Sequence, residues 1–373
     1  MKWAFWIAVS VIGYSYVGYP AWLWLRSRWS PRPVRRGRVE PAVSALLVAR
    51  NEEAVIGGKI ENLLALDYPP EKLDVVVVSD GSTDGTEAKL AEFAGHPRVR
   101  TLLKAFSQGK AAGLNDAMKL ARGEVALFTD ARQKIECGAL RQLVENFADP
   151  AVGCASGELM LGDPESGEAG KGMGLYWRIE KGIRELESAS GSVAGATGAI
   201  YCARQALLEP LPEGTILDDV LLPMQIAKKG SRVIFDSRAR AWDAPDLGEG
   251  REFWRKVRTL SGNYQLLQLA PWLLGAKNPI RFEFLSHKLS RLAVPFALLA
   301  VLVATLCLKQ PFYRAALAAQ LGFYGLSLVA IAGIKIGPLS RAADAARTVV
   351  LLNSAALVAF VNFVTGRKAV WVR

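Results

Sequence analysis

Val43-Ser44-Ala45-Leu46-Leu47-Val48-Ala49-Arg50-Asn51-Glu52 passes from an apolar, strand-length run straight into a polar cluster. The same passage recurs at Leu73 to Val78, which ends in Ser79-Asp80-Gly81, and at Val125 to Phe128, which ends in Thr129-Asp130-Ala131. Continuous apolar runs of this length predict strands buried on both faces. Helical spacing fills the intervals: residues 54–66 carry Ile56, Ile60, Leu63 and Leu64, with further helices expected over 86–93 and 111–121, and Val99 to Leu103 adds a strand. Strands alternating with helices predict an α/β domain with a mostly parallel, Rossmann-like sheet covered on both sides. Ligands of such sheets bind beyond the carboxyl ends of the strands, so the three polar clusters converge on one crevice. The turn over residues 79–86 is dense in glycine and short side chains; it lets backbone approach a ligand and offers Thr83 or Asp84 as a cap for the next helix.

Outward from this block the chain turns apolar. Trp3 to Leu25 carries no charge and suffices for the ~20 residues that cross a hydrocarbon core. It is rich in Trp and Tyr, and no small-residue cleavage site precedes the basic stretch, so it reads as an anchor and not a signal peptide. Arg26, Arg28, Arg32, Arg35, Arg36 and Arg38 follow it and place the middle block in the cytoplasm. Much of the net charge of +11 is then orientation signal and contact with membrane lipids. No nucleic-acid recognition motif accompanies it, and no nucleic-acid partner is expected. Toward the C-terminus, 292–308, 315–334 and 348–364 read as spanning helices, the first rather short, and 264–285 as helices lying on the membrane surface. The expected organisation of the 373 residues is an anchor at 1–27, a catalytic domain at 28–260, interfacial helices at 261–290, and transmembrane helices with a basic tail at 291–373. Four crossings set that tail opposite the catalytic domain, against its charge; either one segment is re-entrant or the charge rule fails there. The four cysteines have no paired spacing and read as small buried residues in a reducing compartment, and two scattered histidines make no metal cluster.

Five motifs in order resemble family 2 of the inverting glycosyltransferases, the GT-A group that includes the cellulose, chitin and hyaluronan synthases. They are Val48-Ala49-Arg50-Asn51-Glu52-Glu53, Val78-Ser79-Asp80-Gly81-Ser82-Thr83-Asp84, Gly109-Lys110-Ala111-Ala112-Gly113-Leu114-Asn115, Phe128-Thr129-Asp130 and Ile216-Leu217-Asp218-Asp219. The resemblance implies a membrane-bound transferase that moves a sugar from a UDP-sugar to a saccharide or lipid-linked acceptor at the cytoplasmic face of the cell membrane, with inversion to a β-glycosidic bond. It implies Asp219 as the base that takes the acceptor proton, with Asp218 as helper or helix cap. It implies that Asp80 holds uracil or ribose, that Ala49, Asn51 and Glu52 line the same pocket, and that Lys110 contacts the nucleotide. Asp130 matches the first acid of a metal-binding Asp-x-Asp motif, so Mg²⁺ or Mn²⁺ is the expected cofactor.

Two departures from the family pattern bear on mechanism. Arg132 replaces the second acid, so either Asp130 holds the metal with diphosphate and water, or Arg132 itself neutralises phosphate. In place of the processive synthases' Gln-x-x-Arg-Trp stands Arg255-Lys256-Val257-Arg258-Thr259, where Arg255 and Arg258 can clamp diphosphate but Thr259 offers no stacking face. Residues 191–204, with Thr197 and Gly198, lie where the family shapes its acceptor pocket, and small residues there admit a sugar or headgroup. A catalytically inactive, nucleotide-sensing membrane protein is the alternative, supported by Arg132 and opposed by Asp80, Asp130 and Asp219.

Overall fold

Alternate residues of the first strand face opposite layers. In the computed structural model, which describes residues 1–162, 175–243, 249–334 and 337–367, β1 (Val43–Ala49) points Val43, Ala45, Leu47 and Ala49 into one core and Leu46 into the other. The first core takes Ile56, Ile60 and Leu63 of the helix Ile56–Leu64; the second takes Ala111, Leu114, Ala117 and Met118 of the helix Lys110–Leu120. A strand covered on both faces needs apolar residues at every position, which is why its sequence runs without a polar alternation. Ser44 is the exception, and its hydroxyl is used up: it donates to Asp74 at 2.6 Å and accepts from the amides of Arg122 and Gly123.

The sheet has eight strands in the order β3-β2-β1-β4-β7-β6-β8-β5. Here β2 is Leu73–Asp80, β3 Val99–Lys104, β4 Val125–Phe128, β5 Lys134–Ile135, β6 Val152–Leu161, β7 Tyr201–Arg204 and β8 Arg232–Asp243. The expected parallel arrangement holds across β3, β2, β1 and β4. Beyond β4 the sheet is mixed: β7 runs antiparallel to both β4 and β6, β6 is parallel to β8, and β5 closes the edge antiparallel to β8. The parallel half brings the ends of β1, β2 and β4 side by side, and the mixed half walls the same edge with the segment that leads into β7.

An N-terminal helix spans residues 2–29, with a π-helical turn at Tyr14–Gly18. Among the described residues, three helices are long and apolar enough to cross a membrane: Arg281–Cys307, Pro311–Ile331 and Gly337–Val364. Outward-facing large apolar side chains, among them Trp3, Trp6, Ile7, Phe312, Leu321, Leu328, Val361 and Val364, gather on these four segments, the pattern of a surface meant for something other than water. The first C-terminal helix starts well before the expected position 292, and is not short. Half of the stretch 264–285 is the end of a helix Glu249–Leu269 and the start of Arg281–Cys307. The reason is electrostatic: the polar residues that speak against a continuous helix are paired inside the protein, Glu283 with Arg26 at 2.5 Å and His287 with Glu180 and Glu187. Part of the arginine run is likewise structural, since Arg36 lies 3.5 Å from Asp236. The tail beyond residue 367 and the stretch 163–174 lie outside the described residues.

Close approach of backbone fixes the entry into β4. A Cβ on Gly123 would stand 2.5 Å from the Ser44 amide and 2.7 Å from the Val43 carbonyl carbon, neither of which can move without disturbing β1. Gly123→Ala is therefore expected to destabilise the sheet domain by about 1–3 kcal/mol. Gly138→Ala, where a Cβ meets nothing within 4 Å, is the matched control and leaves thermal unfolding unchanged.

Candidate functional site

Beyond the carboxyl ends of β1, β2 and β4 opens a cavity of about 640 Å³. Asn51 and Glu52 reach it from beyond the end of β1, Asp80 from β2, Asp130 and Arg132 from the loop after β4, Lys110 from the first turn of its helix, and Arg255 and Arg258 from Glu249–Leu269. Eight of the residues singled out in the sequence thus share one chamber. Ala49 does not join them; its side chain is buried in the sheet core, because the alternation of β1 turns position 49 to the same layer as Ala45 and Leu47.

The loop after β1 is laced to the loop after β2. Asn51 adopts φ +56°, a left-handed conformation that Asn tolerates better than most residues, and its side-chain oxygen accepts from the Thr83 amide at 2.8 Å. The Glu52 amide donates to Thr86 Oγ1, and Glu53 accepts from the Gly85 amide at 3.0 Å. Asp84 accepts from the Thr86 amide at 3.0 Å, but Gly85 takes the cap position of the helix Thr86–Ala91, so neither Thr83 nor Asp84 caps it as expected. Asp80, 2% exposed, is engaged on both oxygens: Ser107 Oγ donates at 2.7 Å, and the Gln108 and Gly109 amides at 2.9 and 2.8 Å. Its carboxylate therefore shapes the loop that delivers Lys110, with Gly109 at φ +93° making the turn into the helix.

Lys110 Nζ lies 2.8 Å from Asp130 and 3.2 Å from Asp218. Burial works against its charge, but the carboxylates of Asp130, Asp218 and Asp219 outweigh it and hold the ammonium above its ordinary range. Burial, followed by Asp219 and Asp130, pushes the Asp218 carboxyl up to about 6 in spite of Lys110. Neither aspartate caps the helix Asp218–Lys228: the cap position is Leu217, and the pair occupies the first turn. Asp219 is partly exposed, and its backbone carbonyl accepts from the Ala196 amide at 2.7 Å. Gly198 sits against it: a Cβ there would lie 3.3 Å from Asp219 Oδ2 and 3.5 Å from Asp130 Oδ2. The segment expected to shape an acceptor pocket thus meets the two carboxylates at a residue with no side chain. Thr197, its neighbour, takes a hydrogen bond from Arg184 and donates its amide to Ser156 Oγ at 2.9 Å. Arg132 is 64% exposed and 3.5 Å from Glu52, a loose pair that leaves its guanidinium at the cavity surface.

Among the described residues no three His, Cys, Asp or Glu side chains converge to hold a metal on protein atoms alone. A partly exposed Asp130 carboxylate lining the cavity still fits a divalent ion that draws its remaining oxygens from diphosphate and water.

Residues 44–209 match the profile of Glycosyl transferase family 2. A β-monoglucosyldiacylglycerol synthase of Synechocystis is 29% identical over 192 residues, covering 50% of this chain and 40% of that protein. A poly-β-1,6-N-acetyl-D-glucosamine synthase of Staphylococcus epidermidis is 23% identical over 235 residues, 62% of this chain and 56% of its own. The match thus spans about half the length of these curated relatives. Among solved structures, the mannosyltransferase PcManGT from Pyrobaculum calidifontis, in complex with GDP-Man and Mn²⁺, aligns with a TM-score of 0.73 and 23% identity over 98% of this chain and 100% of that one. That likeness is one of fold, and the fold is GT-A.

Lys59 stands behind the site and was not singled out in the sequence. From the helix Ile56–Leu64 its ammonium, 3% exposed, reaches Thr129 Oγ1 at 2.8 Å and the Gln133 carbonyl at 2.5 Å, and so braces both ends of the loop that carries Asp130. Read by spacing alone, it falls on an apolar helix face where a lysine looks misplaced. Burial brings its pKa down to about 7, against the pull of Asp130. Between that value and the ~10.4 of an exposed lysine, the unfolded chain holds a proton that the folded protein has released, so folding stability rises with pH across this window. Lys59→Met removes that slope: from pH 7 to 9 the wild type gains on the order of 1–2 kcal/mol relative to the variant in thermal or denaturant unfolding. Parallel stability curves for the two proteins would contradict the assignment.

Proposed function

We propose that this chain, whose residues 44–209 are a glycosyl transferase family 2 domain on a GT-A fold, is a membrane-integrated inverting glycosyltransferase. It moves a sugar from a UDP-sugar onto a saccharide or lipid-linked acceptor at the cytoplasmic face. The observation that carries this reading is the meeting of Asp130, Asp218 and Asp219 around Lys110 at a cavity lined by further cations. In an inverting displacement the acceptor hydroxyl forms its bond to the anomeric carbon on the face opposite the diphosphate. The bond from that carbon to the diphosphate oxygen breaks, and UDP leaves with the electron pair.

Each group then has a place. Asp219, outside the cap position and partly exposed beside Gly198, takes the hydroxyl proton as the bond forms. Asp218, held partly neutral by burial and paired with Lys110, keeps that ammonium in place and borders the acceptor with Thr197 and Gly198. Lys110, Arg132, Arg255 and Arg258 supply fixed positive charge to the departing diphosphate, where pre-placed cations act without reorganisation. Asn51, Glu52 and the loop shaped by Asp80 border the nucleoside. Asp130 would hold Mg²⁺ or Mn²⁺ against the diphosphate, where the ion offsets leaving-group charge. The solved relative bound to GDP-Man and Mn²⁺ supports a divalent ion in this fold. Thr259 turns its hydroxyl onto the Arg255 carbonyl at 3.0 Å and presents no ring to a growing chain, which favours addition of one sugar per encounter over processive synthesis. The apolar helices at both ends and the arginines after the first support a multi-pass protein with its catalytic domain cytoplasmic.

Purified full-length protein given a panel of nucleotide sugars with Mg²⁺ or Mn²⁺ tests the reading through UDP release and product size. Asp219→Asn is expected to lower turnover by at least about 100-fold while UDP affinity changes by less than about twofold. Retained turnover in that variant overturns the assignment of the base. A wild type that binds UDP but transfers nothing from any donor turns the reading to nucleotide sensing. Chelation of divalent ions is expected to weaken UDP binding about tenfold or more in calorimetry.

A further inference from the structure

Two glutamates on the helix Leu175–Ser190 are buried away from the cavity: Glu180 is 6% exposed and Glu187 1%. Two carboxylates on one helix, out of water, cost several kcal/mol each unless something repays them. What repays them comes from the apolar helices. His287, on Arg281–Cys307 and 2% exposed, sits between the two, with Nδ1 2.9 Å from Glu187 and Nε2 3.1 Å from Glu180. Tyr19 of the N-terminal helix donates to Glu187 at 2.6 Å, and Arg291 to Glu180 at 2.6 Å. Burial alone would drive both carboxyls to the neutral form; the adjoining His287 ring reverses this and holds Glu180 well below the ordinary range and Glu187 below it.

Each glutamate also reaches the catalytic domain. Glu187 accepts from the Ala194 amide at 3.4 Å. Glu180 holds Arg184 at 3.4 Å, and Arg184 donates to Thr197 Oγ1. The loop from Ala194 to Thr197 is therefore suspended from both glutamates, one at each end. Between those ends Ala196 holds the Asp219 carbonyl, and next to Thr197 comes Gly198, against the Asp219 carboxylate. We propose that His287 is a positioning residue for transfer: by bridging Glu180 and Glu187 it sets, from the membrane side, the loop that forms the acceptor wall and backs Asp219.

A membrane-integrated enzyme gains from such an arrangement, because the height of the acceptor wall is then referenced to the helices that sit in the bilayer and not to the sheet alone. The inference rests on the reading of this loop as the acceptor wall, and its test separates the two. Hydrogen–deuterium exchange on the full chain in nanodiscs needs no turnover. In His287→Asn and in Arg184→Ala, exchange across residues 193–198 is expected to rise several-fold while β1 and β2 stay protected. Arg184→Ala leaves His287 and Arg291 on Glu180, so it serves if the histidine variant does not fold. Where transfer is measured, acceptor KM is expected to rise about tenfold in Arg184→Ala with donor KM unchanged. Unchanged exchange over 193–198 in folded variants, or equal rises in donor and acceptor KM, overturns the proposal. Absence of transfer by the wild type counts against the catalytic reading, and the exchange data still decide whether the loop hangs from His287.

Discussion

Three aspartates and one ammonium hold the centre of this protein together. Asp130 follows a strand, Asp218 and Asp219 open a helix 88 and 89 residues later in the chain, and Lys110 ties the two segments, at 2.8 Å to Asp130 and 3.2 Å to Asp218. Without a cation, like charges at this spacing push the segments apart or force one carboxyl to keep its proton. The ammonium is in turn placed by its loop, and the loop by Asp80, whose two oxygens collect a hydroxyl and two amides. A carboxylate that spends its acceptor capacity on backbone is a fixed part of the scaffold. It gives the cavity wall its shape.

The charge balance of the cavity follows from the same economy. Among the described residues, five cations line it, Arg50, Lys110, Arg132, Arg255 and Arg258, against four acids, Glu52, Asp80, Asp84 and Asp130. Asp80 and Asp84 are engaged by amides and hydroxyls, Asp130 by Lys110 and Glu52 by Arg132. An incoming diphosphate thus meets acids already screened by protein donors and guanidinium groups at the surface, and the substitution of an acid by Arg132 tilts the balance further toward anions.

The parallel half of the fold was legible because its information is local. β1, β2 and β4 are buried on both faces, so each shows a mainly apolar run, broken only by the Ser44–Asp74 pair near the start of β1 and β2, and each ends abruptly in the polar residues of the site. The second half lacks that signature. β7 is four residues long and β5 two, and β6 carries Gly153 and Gly157 where a Cβ would strike Ile226 or the Ala239 carbonyl. Their pairing is decided by contacts distant in sequence, which periodicity does not report. Helix ends shifted by a residue or two for the same reason, with one consequence for chemistry: Asp218 falls inside its helix, and Leu217 takes the cap. Lys59 and His287 were illegible as functional residues because each is a single polar residue among apolar ones. His287 was set aside as one of two scattered histidines, and its meaning lies in Glu180 and Glu187, 107 and 100 positions earlier.

The same pairing accounts for the polar composition of the segment around residue 285. Arg281, Glu283, His287 and Lys288 give it the composition of a surface helix, and hydropathy counts them as charges facing water or lipid. In the fold, Glu283 meets Arg26 and His287 meets two carboxylates, so the polar face turns inward against the catalytic domain while the helix runs on to Cys307. Tyr19 and Leu23 of the N-terminal helix pack on Ile183 of the glutamate-bearing helix at the same level. A tether would require only a flexible link after residue 29. What stands here is a docked junction, apolar contact outside and ion pairs within. Such a junction holds only when all its charges are matched, because removing one partner strands another out of water at a cost of about 3–5 kcal/mol. That steepness makes the relative placement of helices and domain a discrete arrangement, and gives a catalytic loop hung from it a defined height above the membrane.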